Sequence, residues 1–483
     1  MRKILAIFTL VAGASLIAVG QDGSKSTDNQ KKQTATSARS KTTRNAFGVN
    51  NVAPQTAVVS SMDQNVLREY AGVYQWQPNG FVYLQLWNEL SGFDKPSQLV
   101  SFDESGEVRV LYPTERDHFF AGPGAAVSTS IQSRIEFQRN RTGKITALTW
   151  RREGLAPRIA RRVEIERRED VRFSNRSVQL AGTFISPSTG GKHPAIILVH
   201  GSGPENREFI LPFARFLVAR GMAVLGYDKR GVGGSTGEWQ TATFDDLADD
   251  VVAAFEYLRK RSDIDAAQIG LLGVSQAGWI MPIAAVRAPD IAFLISISGA
   301  AVAPAETSLD ETRNEMAAAG RRPEMIEQII SLMRVEYRFA QTGEGWEEYL
   351  AARQQLATRF GGTPPPNFPG SREDPLWQTM RAFYFYDPGP TLRRLRTPTL
   401  SILGELDRNI VADKNKAAWE TALKVAGNRD YTLIILPKTN HLQWEAKTGN
   451  NAEEPSLQGF VPAYFTTIQD WLAKRVRRFR RLR

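Results

Sequence analysis

The chain is 483 residues long and 42% hydrophobic, enough for two or three domains with a substantial core. It has no cysteine, which excludes disulfides, thiol chemistry and cysteine-held metal. The net charge of +10 gathers at the ends, with +2 from Arg2 and Lys3, +4 over residues 21–60 and +7 in the last ten residues, so residues 61–473 carry −3; a basic nucleic-acid-binding body is thereby excluded.

Residues 1–20 (MRKILAIFTLVAGASLIAVG) combine a basic start, an apolar run and small residues, the pattern of a secretory signal peptide. A retained membrane anchor is the alternative, although the run is slightly short for a span, and no cysteine follows that could carry a lipid. The expectation is export to the periplasm or the medium, with no integral membrane span in the mature form. Residues 21–60, rich in Ser, Thr, Asn, Gln and Lys without apolar periodicity, are predicted to be a disordered linker.

Residues 61–165 show short apolar segments divided by turn signals. FVYLQLW (81–87) follows Pro78-Asn79-Gly80, QLVSF and EVRVLY flank Asp103-Glu104-Ser105-Gly106, and SRIEFQ and KITALTW flank Asn140-Arg141-Thr142-Gly143. This rhythm predicts a smaller antiparallel β accessory domain. Its one histidine, His118, has no catalytic company in the sequence.

From 166 to 475 strands alternate with helices. A hairpin is predicted over RRVEIERREDVRF (161–173) and SVQLAGTFISP (177–187). Then come AIILVH (195–200), MAVLGYD (222–228), IGLLGV (269–274), IAFLISIS (291–298), TLSILG (399–404) and YTLIILP (431–437). Runs apolar on both faces, separated by helical stretches, predict an α/β fold with a parallel sheet covered on both sides. Phe244, Leu247, Val251, Phe255 and Leu258 mark one helix, with Thr243 as N-cap and Asp246 three residues on. About a hundred residues separate Ser298 from Thr399, far more than an ordinary connection. Helical patterns in LDETRNEMAAAG, PEMIEQIISLMRVEYRFA and WEEYLAARQQLATRF make residues of about 303–390 a helical cap over the sheet. The basic tail, 476–483, reads as a solvated end, with contact to anionic surfaces as the sharper alternative.

The stretch LLGVSQAGW (271–279) approaches Gly-x-Ser-x-Gly, with Ala277 in the last position and a glycine one place late. Ser275 follows a buried strand and precedes a helix, the setting a serine nucleophile needs; Trp279 is predicted in the helix core. A serine needs a base, and the four histidines are His118, His193, His200 and His441. His193 and His200 bracket the first parallel strand, whereas His441 lies past the last strand at the carboxyl edge, where ligands gather. Elimination points to His441. Asp407, just after TLSILG, is preferred over Glu405 and Asp413 as the carboxylate that orients it, by analogy with the Ser-His-Asp template. Oxyanion donors are expected from the backbone of Ser202 and Gln276.

Four motifs in this order, HGSGP (200–204), YDKRGVGGSTG (227–237), GVSQAG (273–278) and GELD with the later NH (404–407 and 440–441), resemble the α/β-hydrolase superfamily over roughly residues 170–475. Within it, the YD-x-RG-x-G-x-S-x-G loop and the β domain look like secreted bacterial esterases and serine aminopeptidase-like hydrolases. The resemblance implies a mostly parallel eight-stranded sheet with helices on both faces, an inserted helical cap, and no metal or organic cofactor. The order Ser275, Asp407, His441 matches that fold's nucleophile, acid and base, and Ala277 is the departure. Gly231 to Gly237 is no dinucleotide loop, because its third glycine falls one place late. Scattered histidines predict no metal site.

The expected reaction is acyl transfer to water on a small-molecule ester. Amide cleavage of a peptide-like substrate is the alternative, with the cap acids Glu306, Asp310, Glu311 and Glu315 as candidates to hold an ammonium; an acidic helix face of this kind reads first as solvated. A non-catalytic binding protein on this scaffold would have lost one of the three residues, and none is lost.

Overall fold

The computed structural model of the protein describes residues 58–87, 96–210, 214–359, 368–477 and 479. The predicted signal, the linker up to residue 57 and most of the basic tail lie outside the described residues.

The first sheet has nine strands: β1 (Gly72–Gln77), β2 (Gly80–Trp87), β3 (Gln98–Asp103), β4 (Val108–Val110), β5 (Tyr112–Glu115), β6 (His118–Ala121), β7 (Ser133–Arg139), β8 (Ile145–Arg152) and β9 (Arg158–Val163). Their order is β4-β3-β2-β1-β9-β8-β7-β6-β5, and the pairings are antiparallel. The Gly turns join β1 to β2, β3 to β4 and β7 to β8. The two ends of the order, β4 and β5, are halves of one segment separated only by Leu111, whose N–H bonds Leu99 O at 2.8 Å. The sheet therefore closes on itself. Helix α1 (Gln64–Tyr70), capped by the Asp63 carboxylate on Asn65 N–H, adds Leu67 and Tyr70 to the enclosed core.

FVYLQLW is buried along nearly its whole length rather than on one face. Val82, Leu84 and Leu86 point into the enclosed core. Phe81, Tyr83 and Trp87 point the other way, into a second cluster shared with Phe216, Phe460 and Phe465 of the α/β body. The β domain is thus docked, not tethered. Polar ties cross the same seam: Arg220 pairs with Glu104 at 2.6 Å, and Arg109 Nη1 donates to Gln458 O at 2.9 Å.

The second sheet holds β10 (Glu166–Asn175), β11 (Val178–Pro187), β12 (His193–Val199), β13 (Ala223–Tyr227), β14 (Ile264–Val274), β15 (Leu294–Ile297), β16 (Thr399–Gly404) and β17 (Tyr431–Leu436). Its order is β10-β11-β13-β12-β14-β15-β16-β17. β10, β11 and β13 pair antiparallel, and the pairings from β13 onward are parallel. This is the mostly parallel eight-stranded sheet that the resemblance to the α/β-hydrolase superfamily implies. Two details differ. The predicted hairpin starts too early, because Arg161–Val163 pair with β1 in the first sheet; Arg162 donates to Glu69 O and Ala71 O and holds the segment there. YTLIIL is half-buried, because β17 is an edge strand with a neighbour on one side only.

Helices cover both faces: α2 (Arg207–Ile210), α3 (Ala214–Ala219), α4 (Phe244–Arg259), α5 (Ala277–Arg287), and later α11 (Ala412–Val425) and α12 (Pro462–Ala473). Between β15 and β16 lie the cap helices α6 (Pro304–Ala318), α7 (Pro323–Thr342), α8 (Trp346–Arg359), α9 (Leu376–Phe383) and α10 (Gly389–Leu392). In α4 the predicted Thr243–Asp246 capping box is formed in both directions. The cap has its own aromatic core, in which Phe339, Trp346 and Tyr349 pack around Trp377. Among the described residues, no helix is long and apolar enough to cross a membrane.

Candidate active site

β14 runs into α5 through Ser275-Gln276. Ser275 has φ 56°, in the left-handed region that a side chain rarely adopts, and its N–H bonds Ile297 O at 2.9 Å. Backbone strain of this kind costs of order 1–3 kcal/mol and persists only where the surroundings enforce it. Those surroundings are two bare glycines. A side chain at Gly273 would strike the Ala277 methyl and stand 2.9 Å from Val199 O. One at Gly278 would stand 2.5 Å from Ala300 N and 2.6 Å from Ala300 O. The glycine one place late is therefore the one the turn requires, and the Ala277 methyl fills the space left over Gly273.

Ser275, Asp407 and His441 all follow parallel strands at their carboxyl edge. Asp407 is fully used: Oδ1 accepts Asn409 N–H at 2.9 Å and Ile410 N–H at 2.8 Å, and Oδ2 lies 2.9 Å from His441 Nδ1. Burial pushes the His441 imidazole down, but the Asp407 charge and hydrogen bond, with Glu454 behind, outweigh it and hold the imidazole above its usual pKa. Among the described residues no hydrogen bond joins Ser275 Oγ to His441. The loops are tied through Ser298 instead, whose Oγ donates to His441 O at 2.8 Å and accepts from Gln443 Nε2 at 2.8 Å. Ser298 sits at φ 45° directly after β15, beside the elbow. The sequence reading missed it; its signal is a strand that ends on Ser-Gly.

The competing residues are placed elsewhere. Glu405 accepts Lys438 N–H, and Asp413 lies in the first turn of α11. His118 is exposed, and His193 bonds Thr189 O at the opposite end of β12. His200 bonds Tyr227 O, and burial together with the Lys229 charge pushes it down to about 3, so it is neutral. The YDKRGVGGSTG loop is a brace. Asp228 takes the Arg207 guanidinium and Gly234 N–H, and Arg230 pairs with Asp250 at 2.7 Å.

Ser202, Ser275 and Gln276 line one cavity of about 40 Å³ under the cap. Its walls include Phe244, Pro304, Phe383 and Ile410. Trp279, predicted in the core, is also in this wall; its ring is buried and its Nε1–H is held by Val302 O at 2.8 Å. The acidic face of α6 is not simply solvated. Glu306 and Asp310 grip Lys414, but Glu311 turns inward, is 2% exposed and lines the cavity. Asn409 Nδ2 donates to it at 2.7 Å, and burial with the Glu315 and Asp407 charges pushes its carboxyl well above the usual range. Among the described residues no group of three or more metal-ligating side chains is found.

A doubly covered, mostly parallel sheet with a cap and a strand–serine–helix elbow defines an α/β hydrolase architecture. The chain belongs to the alpha/beta hydrolase family, whose sequence profile matches residues 196–448. It is similar to Esterase EstD of Thermotoga maritima, 25% identical over 308 residues, 61% of this chain and 66% of that protein. It is also similar to protein Rv2307c of Mycobacterium tuberculosis, 31% identical over 118 residues, 24% of this chain and 41% of that protein. The chain thus spans less than two thirds of the length of these relatives. Among solved structures, the Pyrococcus furiosus esterase Pf2001 aligns with 16% identity and a TM-score of 0.41, covering 64% of this chain and 91% of that one.

Proposed function

We propose that the protein is a serine hydrolase of carboxylic esters working through an acyl-enzyme. His441 takes the Ser275 proton as Oγ attacks the ester carbonyl, and returns it to the departing alkoxide. His441 then deprotonates the water that releases the acid and restores Ser275. Asp407 keeps the Nδ1 proton in place, so that Nε2 is the free base. Ser202 N–H and Gln276 N–H receive the negative charge on the carbonyl oxygen.

The observation that carries this reading is the strained Ser275 elbow on the cavity wall, at the same sheet edge as the His441–Asp407 pair. The similarity to an esterase supports the choice of bond, and the small, largely apolar cavity supports a short acyl chain. Amide cleavage has one observation in its favour, the Glu311 carboxyl on the cavity wall. Burial and the neighbouring Glu315 and Asp407 charges favour the neutral form of that carboxyl, however, which weakens it as a partner for an ammonium. A fluorophosphonate probe is expected to label the wild type and not Ser275→Ala; equal labelling of both overturns the serine mechanism. Among p-nitrophenyl esters the acetate and butyrate are expected to turn over fastest, and dominant turnover of aminoacyl p-nitroanilides overturns the ester reading. We also propose that residues 1–20 direct export; recovery of the protein only from the cytosol of its host refutes this.

A further inference from the structure

Behind the loop that follows β12 lie two buried residues of opposite charge, Lys229 and Glu205, that the acyl-transfer steps above do not use. Lys229 is 2% exposed. Its Nζ donates to Gly201 O at 2.6 Å and Gly203 O at 2.7 Å, and lies 3.4 Å from Gln276 Oε1. Glu205, also buried, accepts Gly201 N–H at 2.8 Å through Oε2. We propose that Lys229 is a positioning residue for the oxyanion hole, gripping from behind the peptide whose N–H faces the developing oxyanion.

The argument is one of peptide geometry. Gly201 C=O and Ser202 N–H belong to the same planar trans peptide, so they point in opposite directions. An ammonium that fixes the carbonyl on the protein side turns the Ser202 N–H toward the cavity that Ser275 and Ser202 share. The same contact polarises the peptide, and a polarised amide is a stronger donor in a low-dielectric site. Lys229 also reaches the side chain of Gln276, the residue that supplies the second donor, so one cation bears on both arms of the hole. Glu205 holds the preceding peptide by its N–H and compensates the charge. Burial pulls the Lys229 ammonium down and pushes the Glu205 carboxyl up, and each partner's charge opposes the change in the other. In the sequence, Lys229 stands next to Arg230 in a glycine-rich loop and looks like a solvated charge. Only the fold turns it inward.

This proposal rests on the reading of Ser275 as nucleophile, and the test separates the two. Lys229→Met removes the donor but leaves Glu205 buried and unpaired, so Lys229→Met/Glu205→Gln is made beside it as the charge-balanced variant. Ser275→Ala is the control, and p-nitrophenyl acetate is the substrate. If Ser275→Ala turns over as fast as wild type, the serine mechanism itself falls. If Ser275→Ala is inactive, the double variant is expected to lose about ten- to a hundredfold in kcat, with KM within about twofold, because only a donor used in the transition state is weakened. Its affinity for a boronic acid, which forms a tetrahedral adduct on serine, should fall in proportion. A folded double variant with kcat and boronate affinity within about twofold of wild type overturns the proposal, as does a loss carried by KM alone.

Discussion

Replacing Asp407 by asparagine asks which proton His441 carries, and the surroundings of the carboxylate dictate the answer. Oδ1 is held by two backbone donors, Asn409 N–H and Ile410 N–H, at 2.9 and 2.8 Å. An amide NH₂ cannot face two donors, so asparagine must leave its oxygen there and turn the NH₂ toward His441 Nδ1. Nδ1 then becomes an acceptor, the ring proton moves to Nε2, and the imidazole loses the lone pair that would accept the Ser275 proton. For a change of this kind the expected loss in kcat is about 10⁴-fold, or ~5.5 kcal/mol of barrier. Folding stability should change far less, by about 1–2 kcal/mol, because one charge-assisted hydrogen bond becomes a neutral one. Initial rates on p-nitrophenyl acetate measure the first quantity and thermal melting the second. An Asp407→Asn protein that keeps more than about a tenth of the wild-type kcat refutes the tautomer argument, since the same substitution elsewhere costs orders of magnitude more.

Strain at the elbow predicts that Ser275→Gly, which adopts φ 56° freely, is more stable than Ser275→Ala by about 1 kcal/mol, both being inactive; equal melting temperatures would show that the turn stores none. Gly278→Ala drives a methyl onto the Ala300 backbone and should cost about 3 kcal/mol or unfold the protein, whereas Ala277→Gly, which restores the usual motif, should cost only about 1 kcal/mol and stay active. The reverse ranking in melts would place the crowding elsewhere. His441 must be unprotonated to act as base, so kcat/KM should rise with pH through its pKa, which Asp407 and Glu454 hold above the usual value. Burial pushes the Glu454 carboxyl itself up to about 7, so it is charged only over the upper part of this limb. Glu454→Gln should therefore move the limb only slightly, to lower pH, and a shift upward contradicts that electrostatic reading.

Much of this architecture is legible in the chain alone, because its signals are local. Apolar runs such as AIILVH and TLSILG can be buried on both faces only inside a covered parallel sheet, and Gly-bearing turns between short apolar runs can make little but hairpins. The three-or-four spacing from Phe244 to Leu258, with Thr243 ahead of it, determines a capped helix without help from any other part of the chain. With four histidines and one strand–serine–helix passage, elimination led to His441, and analogy with the Ser-His-Asp template led to Asp407; His441 Nδ1 and Asp407 Oδ2 lie 2.9 Å apart.

What the tertiary structure decided are contacts between residues remote in sequence, to which no local pattern is sensitive. Ala277 looks like a defect until Ala300 is brought against Gly278. FVYLQLW reads as an ordinary strand until its outward face meets Phe465 and Phe460. Trp279 and Glu311 enter the cavity wall only because the cap folds back over Ser275. Lys229 becomes an internal cation because β13 delivers it under the loop that leaves β12. Periodicity belongs to a single element and is written in its own residues; the partner that buries a charge or crowds a glycine is chosen by the packing of elements on one another.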